Sequence, residues 1–245
     1  MNPTPPVRVA EVAVSAPALA HQWARQGSAP HGAAMAAHRE IAGRGRGGVA
    51  WAEPSAVAVS IVVRPDWLAS FEAEVGWLAA GLAAADAIEE LGVGGRGRAR
   101  VEPRLWWPDQ ICWPADGERS DAMVTVSLLA ESILEPGRVA YAVLTVRFSS
   151  SRLGDRSERE QAAEVLVAAL RRWGDRLDRP GEVASAYRSR CSTIGRVVAV
   201  GLSPHGSTRG TVADITGEGA LVLRSSTGLT ETFPVAATRT VEPLD

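Results

Sequence analysis

Hydrophobic and polar positions along the chain change period several times, and each change marks an element. Residues 7–14 alternate apolar and polar, which predicts a strand. Ser15 then stands at an N-cap position with Pro17 in the first turn, so 16–26 reads as a helix that Gly27 ends. A short strand over 32–39 leads into a glycine-rich tract, and the apolar, β-branched run 56–63 reads as a buried strand stopped by Pro65. Over 66–91, Trp67, Leu68, Val75, Leu78, Leu82, Ile88 and Leu91 recur at roughly helical spacing. That pattern predicts a helical region interrupted at Gly76 and Gly81, with one face on a sheet and with Trp67 and Trp77 in the core. Strands are predicted over 101–105, 123–130 and 138–148, a loop over 149–155, and a helix over 158–177 capped by Ser157. Pro180-Gly181 breaks the pattern before a short helix over 182–191. From Thr193 onward small strands (196–202, 210–215, 220–224, 231–234, 239–242) alternate with turns. The reading is an α+β chain: a mixed sheet with flanking helices over 1–192, then a small SH3-like β-barrel over 193–245.

Composition narrows the function classes. At 245 residues and 46% apolar content the chain can bury a large core, yet no apolar run approaches the roughly 20 residues of a membrane span. The N-terminus lacks a charged start followed by an apolar core, so a cytoplasmic protein is expected. Cys112 and Cys191 are far apart in sequence and read as free thiols; neither they nor the scattered histidines form a metal-ligand spacing. A net charge of −2 argues against a dedicated nucleic-acid binder. All 26 basic side chains counted as Lys or Arg are arginine. Chemistry that needs a side-chain ammonium is therefore closed to this chain.

Two tracts carry candidate chemistry. In the first, Gly43, Arg44, Gly45, Arg46, Gly47 and Gly48 are followed closely by Trp51. Glycines let backbone N–H groups approach an anion, and guanidinium forks suit carboxylate or phosphate. The alternatives are a flexible surface loop or an Arg-Gly segment touching nucleic acid. A second Gly/Arg tract, 92–100, reads as a solvated connector. Beyond it, Trp106-Trp107-Pro108-Asp109-Gln110-Ile111 places aromatics before a proline and a carboxylate, a pattern suited to a pocket wall.

With these tracts in order, the chain resembles the biotin protein ligases and, more broadly, the biotin/lipoate ligase family. Gly43, Arg44, Gly45, Arg46, Gly48 and Trp51 fall on the family's Gly-Arg-Gly-Arg-x-Gly-Arg-x-Trp signature, with Val49 in place of the last arginine. Residues 106–111 fall on Lys-Trp-Pro-Asn-Asp-Ile, and the runs at 193–196 and 219–222 resemble the family's C-terminal barrel. No helix-turn-helix precedes the ligase region, so a repressor role is not implied. The resemblance implies a two-step reaction: biotin attacks the α-phosphate of ATP with Mg²⁺, then a lysine on a carrier domain of an acyl-CoA carboxylase takes the acyl group. It implies ligand contacts at Gly43, Arg44, Gly45, Arg46, Gly48, Trp51, Trp106, Trp107 and Pro108. Relatives often form dimers, so a homodimer is compatible with it.

The departures fall on the chemistry. Trp106 replaces the signature lysine, Asp109-Gln110 replaces Asn-Asp, and Val124 stands near a second family lysine when the strand is aligned on Glu131. Ser15-Ala16-Pro17 stands for Ser-Thr-Asn, and the Gly-x-Gly-x-Asn pattern is missing from residues 144–148. Two functions therefore stay open. One is a ligase-like binding protein, holding biotin or a related acyl carboxylate or adenylate, with impaired or altered adenylation. The other is an active biotin or lipoate ligase in which arginines replace lysine; its catalytic candidates are Arg44, Arg46, Arg104 and Asp109, with Asp109 the candidate Mg²⁺ ligand.

Overall fold

The computed structural model describes residues 4–51, 55–92, 102–112, 126–149, 153 and 155–244. Its first sheet holds β1 (Val7–Ala10), β2 (Ala33–Ala37), β3 (Ser55–Val63), β6 (Val126–Glu135) and β7 (Arg138–Ser149) in the order β1-β2-β3-β7-β6. The β1–β2 pair is parallel and the other pairs are antiparallel. Between β3 and β6 in sequence, β4 (Arg104–Trp106) and β5 (Gln110–Cys112) form a separate two-stranded ribbon.

Period-two alternation assigns the two faces of the sheet. Val57, Val59, Ile61 and Val63 of β3 join Leu144 and Val146 of β7 on the face covered by α2 (Val75–Leu91) and α3 (Arg156–Gly174). Ala58, Val62, Tyr141 and Val143 point the other way, onto α1 (Ala16–Arg25). There His21 of α1 meets Glu131 at 3.2 Å, and this hydrogen bond holds the Glu131 carboxyl below the ordinary range.

The central helix corrects the sequence reading. The α2 helix runs unbroken through Gly76 and Gly81 and is buried on all sides, not along one face. Its glycines serve close approach: a Cβ on Gly81 would lie 3.3 Å from the Tyr187 ring, and one on Gly76 3.2 Å from Leu144. The segment before α2 is a turn of 3-10 helix, Ser70–Glu72. Trp67 lies outside the core, 63% exposed, while Trp77 is buried. The α3 helix begins earlier than expected because Asp155, not Ser157, caps it, in a reciprocal capping box with Glu158.

Asp86 of α2 ties three helices together. Its carboxylate accepts from Arg172 (2.8 Å) and the Trp173 indole (2.7 Å) on α3, and from Arg190 (2.6 Å) at the end of α4 (Pro180–Arg190). Burial pushes the Asp86 carboxyl up, but the hydrogen bonds from Arg172, Trp173 and Arg190 outweigh it and the net shift is downward. A depressed folded-state value contributes stability above the ordinary aspartate range, which is lost as pH falls through the folded value. Asp86→Asn should therefore flatten the acid limb of a stability-versus-pH curve measured by urea denaturation; an unchanged limb would remove Asp86 from that role.

From β8 (Val197–Leu202) the chain builds a second sheet with β9 (Ser207–Ile215), β10 (Leu221–Arg224), β11 (Thr230–Phe233) and β12 (Thr238–Pro243). All its pairings are antiparallel, in the order β11-β10-β9-β8-β12. The five strands fall close to their predicted positions, but β11 and β12 do not pair, so the expected barrel is not closed by hydrogen bonds. Cys112 and Cys191 are free and part-exposed, on opposite sides of β4. Apart from Gly92, the second Gly/Arg tract lies outside the described residues, as do Val101 and Val124. Among the described residues no helix is long and apolar enough to cross a membrane.

Candidate functional site at the junction of the two sheets

The first Gly/Arg tract folds back on itself. Gly45 N–H donates to Val49 O (2.9 Å), Gly48 N–H to Gly45 O (3.1 Å) and Trp51 N–H to Gly43 O (2.9 Å). Gly47 and Gly48 take φ of 67° and 74° in the turn, a region that favours glycine. These three N–H groups are spent inside the loop, which is thereby closed into a turn. Arg44 closes it further, donating from Nη1 to Gly48 O at 2.9 Å.

Arg46 reaches across to three acceptors on two segments. Its Nε donates to Asp109 Oδ2 at 3.0 Å, Nη2 donates to Arg239 O at 2.8 Å, and Nη1 donates to Thr238 O. Both partners of the ion pair are largely buried, Arg46 13% and Asp109 18% exposed. One guanidinium thus joins the loop, the β4–β5 ribbon and β12.

The tryptophans of the ribbon make the same connection. Trp106 Nε1 donates to Val241 O at 2.9 Å. Trp107, fully buried, donates from its backbone N–H to Thr193 Oγ1 (2.8 Å) and from its indole to Gly219 O (2.9 Å). Glu74, just before α2, accepts from the N–H groups of Val235 (2.7 Å) and Ala236 (2.9 Å). Thr193, Glu74 and Arg239 were not singled out from the sequence, because their roles depend on which segments meet.

Two cavities flank the loop. The larger, about 730 Å³, lies between the loop, the start of α2, β6 and the second sheet, with Arg46, Glu74, Trp77, Ser132 and Arg239 in its wall. The smaller, about 300 Å³, is lined by Gly45, Arg46, Trp51, Trp107, Pro108 and Asp109 among others, and by Arg239. The structure therefore brings most of the sequence candidates to one place. Gly43, Gly48 and Arg104 line neither cavity; Arg104 bonds Ser189 O (3.4 Å) and approaches Glu102 (3.9 Å) instead. Trp106 and Arg44 also line neither.

Beneath the loop, on the α1 face of the first sheet, lies a cluster the sequence reading missed. Arg147 of β7 and Glu40 form an ion pair with both side chains at 0% exposure. Glu40 Oε1 also accepts from Ala16 N–H at 2.7 Å, at the start of α1. A Cβ on Gly43 would lie 2.8 Å from Glu40 Oε2, so the loop rests directly on the pair. Ser60 and Thr145 hydrogen-bond at 2.8 Å on the same face. The available signal was a charged residue inside the otherwise apolar run Val143–Phe148.

The comparisons with known proteins agree with this architecture. The Aquifex aeolicus biotin protein ligase in complex with biotin and ATP superposes with a TM-score of 0.68 at 14% identity, over 97% of this chain and 99% of that one. Residues 193–236 match the family model described as the biotin protein ligase C terminal domain. The chain thus has the fold of the biotin protein ligases, and its residues 193–236 match their C-terminal domain. The Leishmania major biotin protein ligase bound to biotinyl-5-AMP matches at 17% identity with a TM-score of 0.57, over 94% of this chain and 98% of that one. The biotin acetyl coenzyme A carboxylase synthetase of Helicobacter pylori, with bound biotinylated ATP, matches at 13% identity with a TM-score of 0.59, over 95% and 99%. No curated protein sequence matches the chain. Within the biotin protein ligase fold, Arg46 of the first tract and Trp106 of the second hydrogen-bond backbone carbonyls of β12.

Proposed function

We propose that this chain is a biotin-protein-ligase-fold binding protein with impaired or lost adenylation. Its ligand is a biotin-like acyl carboxylate or adenylate, held between the Gly/Arg loop and the C-terminal sheet. Residues 1–192 form the ligase-like domain and 193–245 the C-terminal domain. The observation that carries the reading is the state of the candidate catalytic groups. No lysine is present, Arg46 is committed to Asp109 and two backbone carbonyls, and the charge of Asp109 is already paired with that guanidinium. Loss of one well-placed charge donor in such a site costs on the order of 10²–10³ in rate.

The residues present do not fit the ATP, Mg²⁺ and biotin of an active ligase without rearrangement. The sheet face under the loop is filled by the Glu40–Arg147 pair, and the Asp109 carboxylate, the candidate Mg²⁺ ligand, is already ion-paired with Arg46. Gly45, Arg46, Trp51, Trp107, Pro108 and Asp109 line the smaller cavity and Arg46 lines the larger one as well, so the proposed site takes in both. The alternative, an active ligase acting on a carboxylase carrier domain with arginine in the role of lysine, is favoured only by the retained Gly-Arg-Gly-Arg sequence at 43–46.

ATP–pyrophosphate exchange with biotin or lipoate and Mg²⁺, run beside calorimetric titration of the same acids, separates the two. Binding without exchange is expected. Exchange above background would overturn the reading and move the question to the acceptor protein.

A further inference from the structure

We propose that Arg239 is the anion-receiving group of the junction and that the larger cavity takes a small amphipathic oxyanion, a carboxylate or phosphate on an apolar body. The inference rests on the reading that the chain binds rather than adenylates, and it names a residue and a ligand class for that site. Arg46 and Arg239 are the two arginines that line both cavities. They differ in one respect. Every nitrogen of the Arg46 guanidinium already has a protein acceptor. The Arg239 guanidinium is exposed and, among the described residues, makes no hydrogen bond or ion pair, although its backbone carbonyl accepts from Arg46. A ligand could take the Arg239 fork without breaking an existing bond, whereas taking Arg46 would strand Asp109.

The surrounding charges point the same way. In the larger cavity the other acidic group is Glu74, and both of its oxygens are occupied by Val235 and Ala236 N–H groups. Arg46 is paired with Asp109 and the Glu74 carboxylate is held by backbone N–H groups, so among the described residues Arg239 is the cation of that wall whose donors have no protein acceptor. In the smaller cavity Asp109 and Glu242 oppose the two arginines, which makes it the less favourable end for an anion. Trp77, Ala73 and Val235 provide the apolar wall, and Ser132 and Thr240 provide hydroxyl groups beside it. A volume of about 730 Å³ lies in the range of small-molecule sites. Arginine at the mouth of such a space recognises planar carboxylate and tetrahedral phosphate alike.

The test uses the full chain and calorimetric titration with octanoate, octyl phosphate and octanol, on the wild type, Arg239→Ala and Arg239→Lys. The wild type should bind the two anions more tightly than octanol, and whichever anion is the tighter identifies the headgroup. Arg239→Ala should weaken anion binding by about 10- to 100-fold, the usual worth of a charge-assisted hydrogen bond, and leave octanol binding and the melting temperature unchanged. Arg239→Lys should recover part of the loss. Equal binding of anions by the wild type and Arg239→Ala would overturn the proposal, as would binding of neither anion by the wild type. Pyrophosphate exchange tests the non-catalytic reading separately, so an exchanging protein with an Arg239-dependent anion site would refute that reading and leave this one standing.

Discussion

Arg147→Ala should destabilise the protein by about 3–5 kcal/mol, the usual consequence of removing one partner of a buried ion pair and stranding the other. Glu40 would remain at 0% exposure with its guanidinium partner gone. The pair is not ideally satisfied as it stands, since among the described residues Arg147 Nη1 has no hydrogen-bond partner. Replacing both charges together, Glu40→Leu with Arg147→Leu, should therefore recover most of the loss, because an apolar pair removes the desolvation cost of both ions. Urea denaturation of the two single variants and the double variant completes the cycle. A double variant no more stable than Arg147→Ala would mean that the charges carry specific, irreplaceable contacts across α1, the loop and β7.

Arg46→Ala should cost about 2–4 kcal/mol, since it deletes charge-assisted hydrogen bonds to Asp109 and to two carbonyls of β12. At roughly 2–4 °C of melting temperature per kcal/mol for a chain of this size, the loss is visible in a thermal scan. Its location matters more than its size. Hydrogen exchange should rise across β8 to β12 more than across the first sheet, because Arg46 links the loop to the second sheet. Arg46→Lys should fail to restore the wild-type value, because one ammonium cannot span three acceptors arranged around a planar fork. Uniform loss of protection through both sheets would show that Arg46 supports the whole fold and does not act as a local clasp.

The strands and helices were largely legible in the chain because their signals are local. The α1 helix has its Ser15 cap and Pro17, and the five strands after Thr193 are separated by turn residues. The errors have physical causes. Gly76 and Gly81 read as interruptions, yet they allow α2 to pack tightly against Leu144 and Tyr187. Trp67 read as core because of its size, yet it sits on the surface, with its backbone N–H bonded to Asp178. Ser157 read as a cap, but Asp155 forms the reciprocal box with Glu158.

The sequence alone determined the order of most elements, the lack of any lysine, and the two tracts that resemble biotin protein ligase signatures. Those properties are written in composition and in spacing along the chain. Only the tertiary structure decided what the arginines do. Arg44 and Arg46 look equivalent in sequence, but Arg44 closes its own loop while Arg46 crosses to Asp109 and β12. Arg147 and Glu40 are 107 residues apart and meet only because the sheet and the loop bring them together. Arg239, unremarkable in the sequence, becomes the cation at the cavities' shared wall that has no side-chain partner among the described residues. A guanidinium's role depends on which acceptors lie within about 3 Å of its nitrogens, and that distance is set by folding.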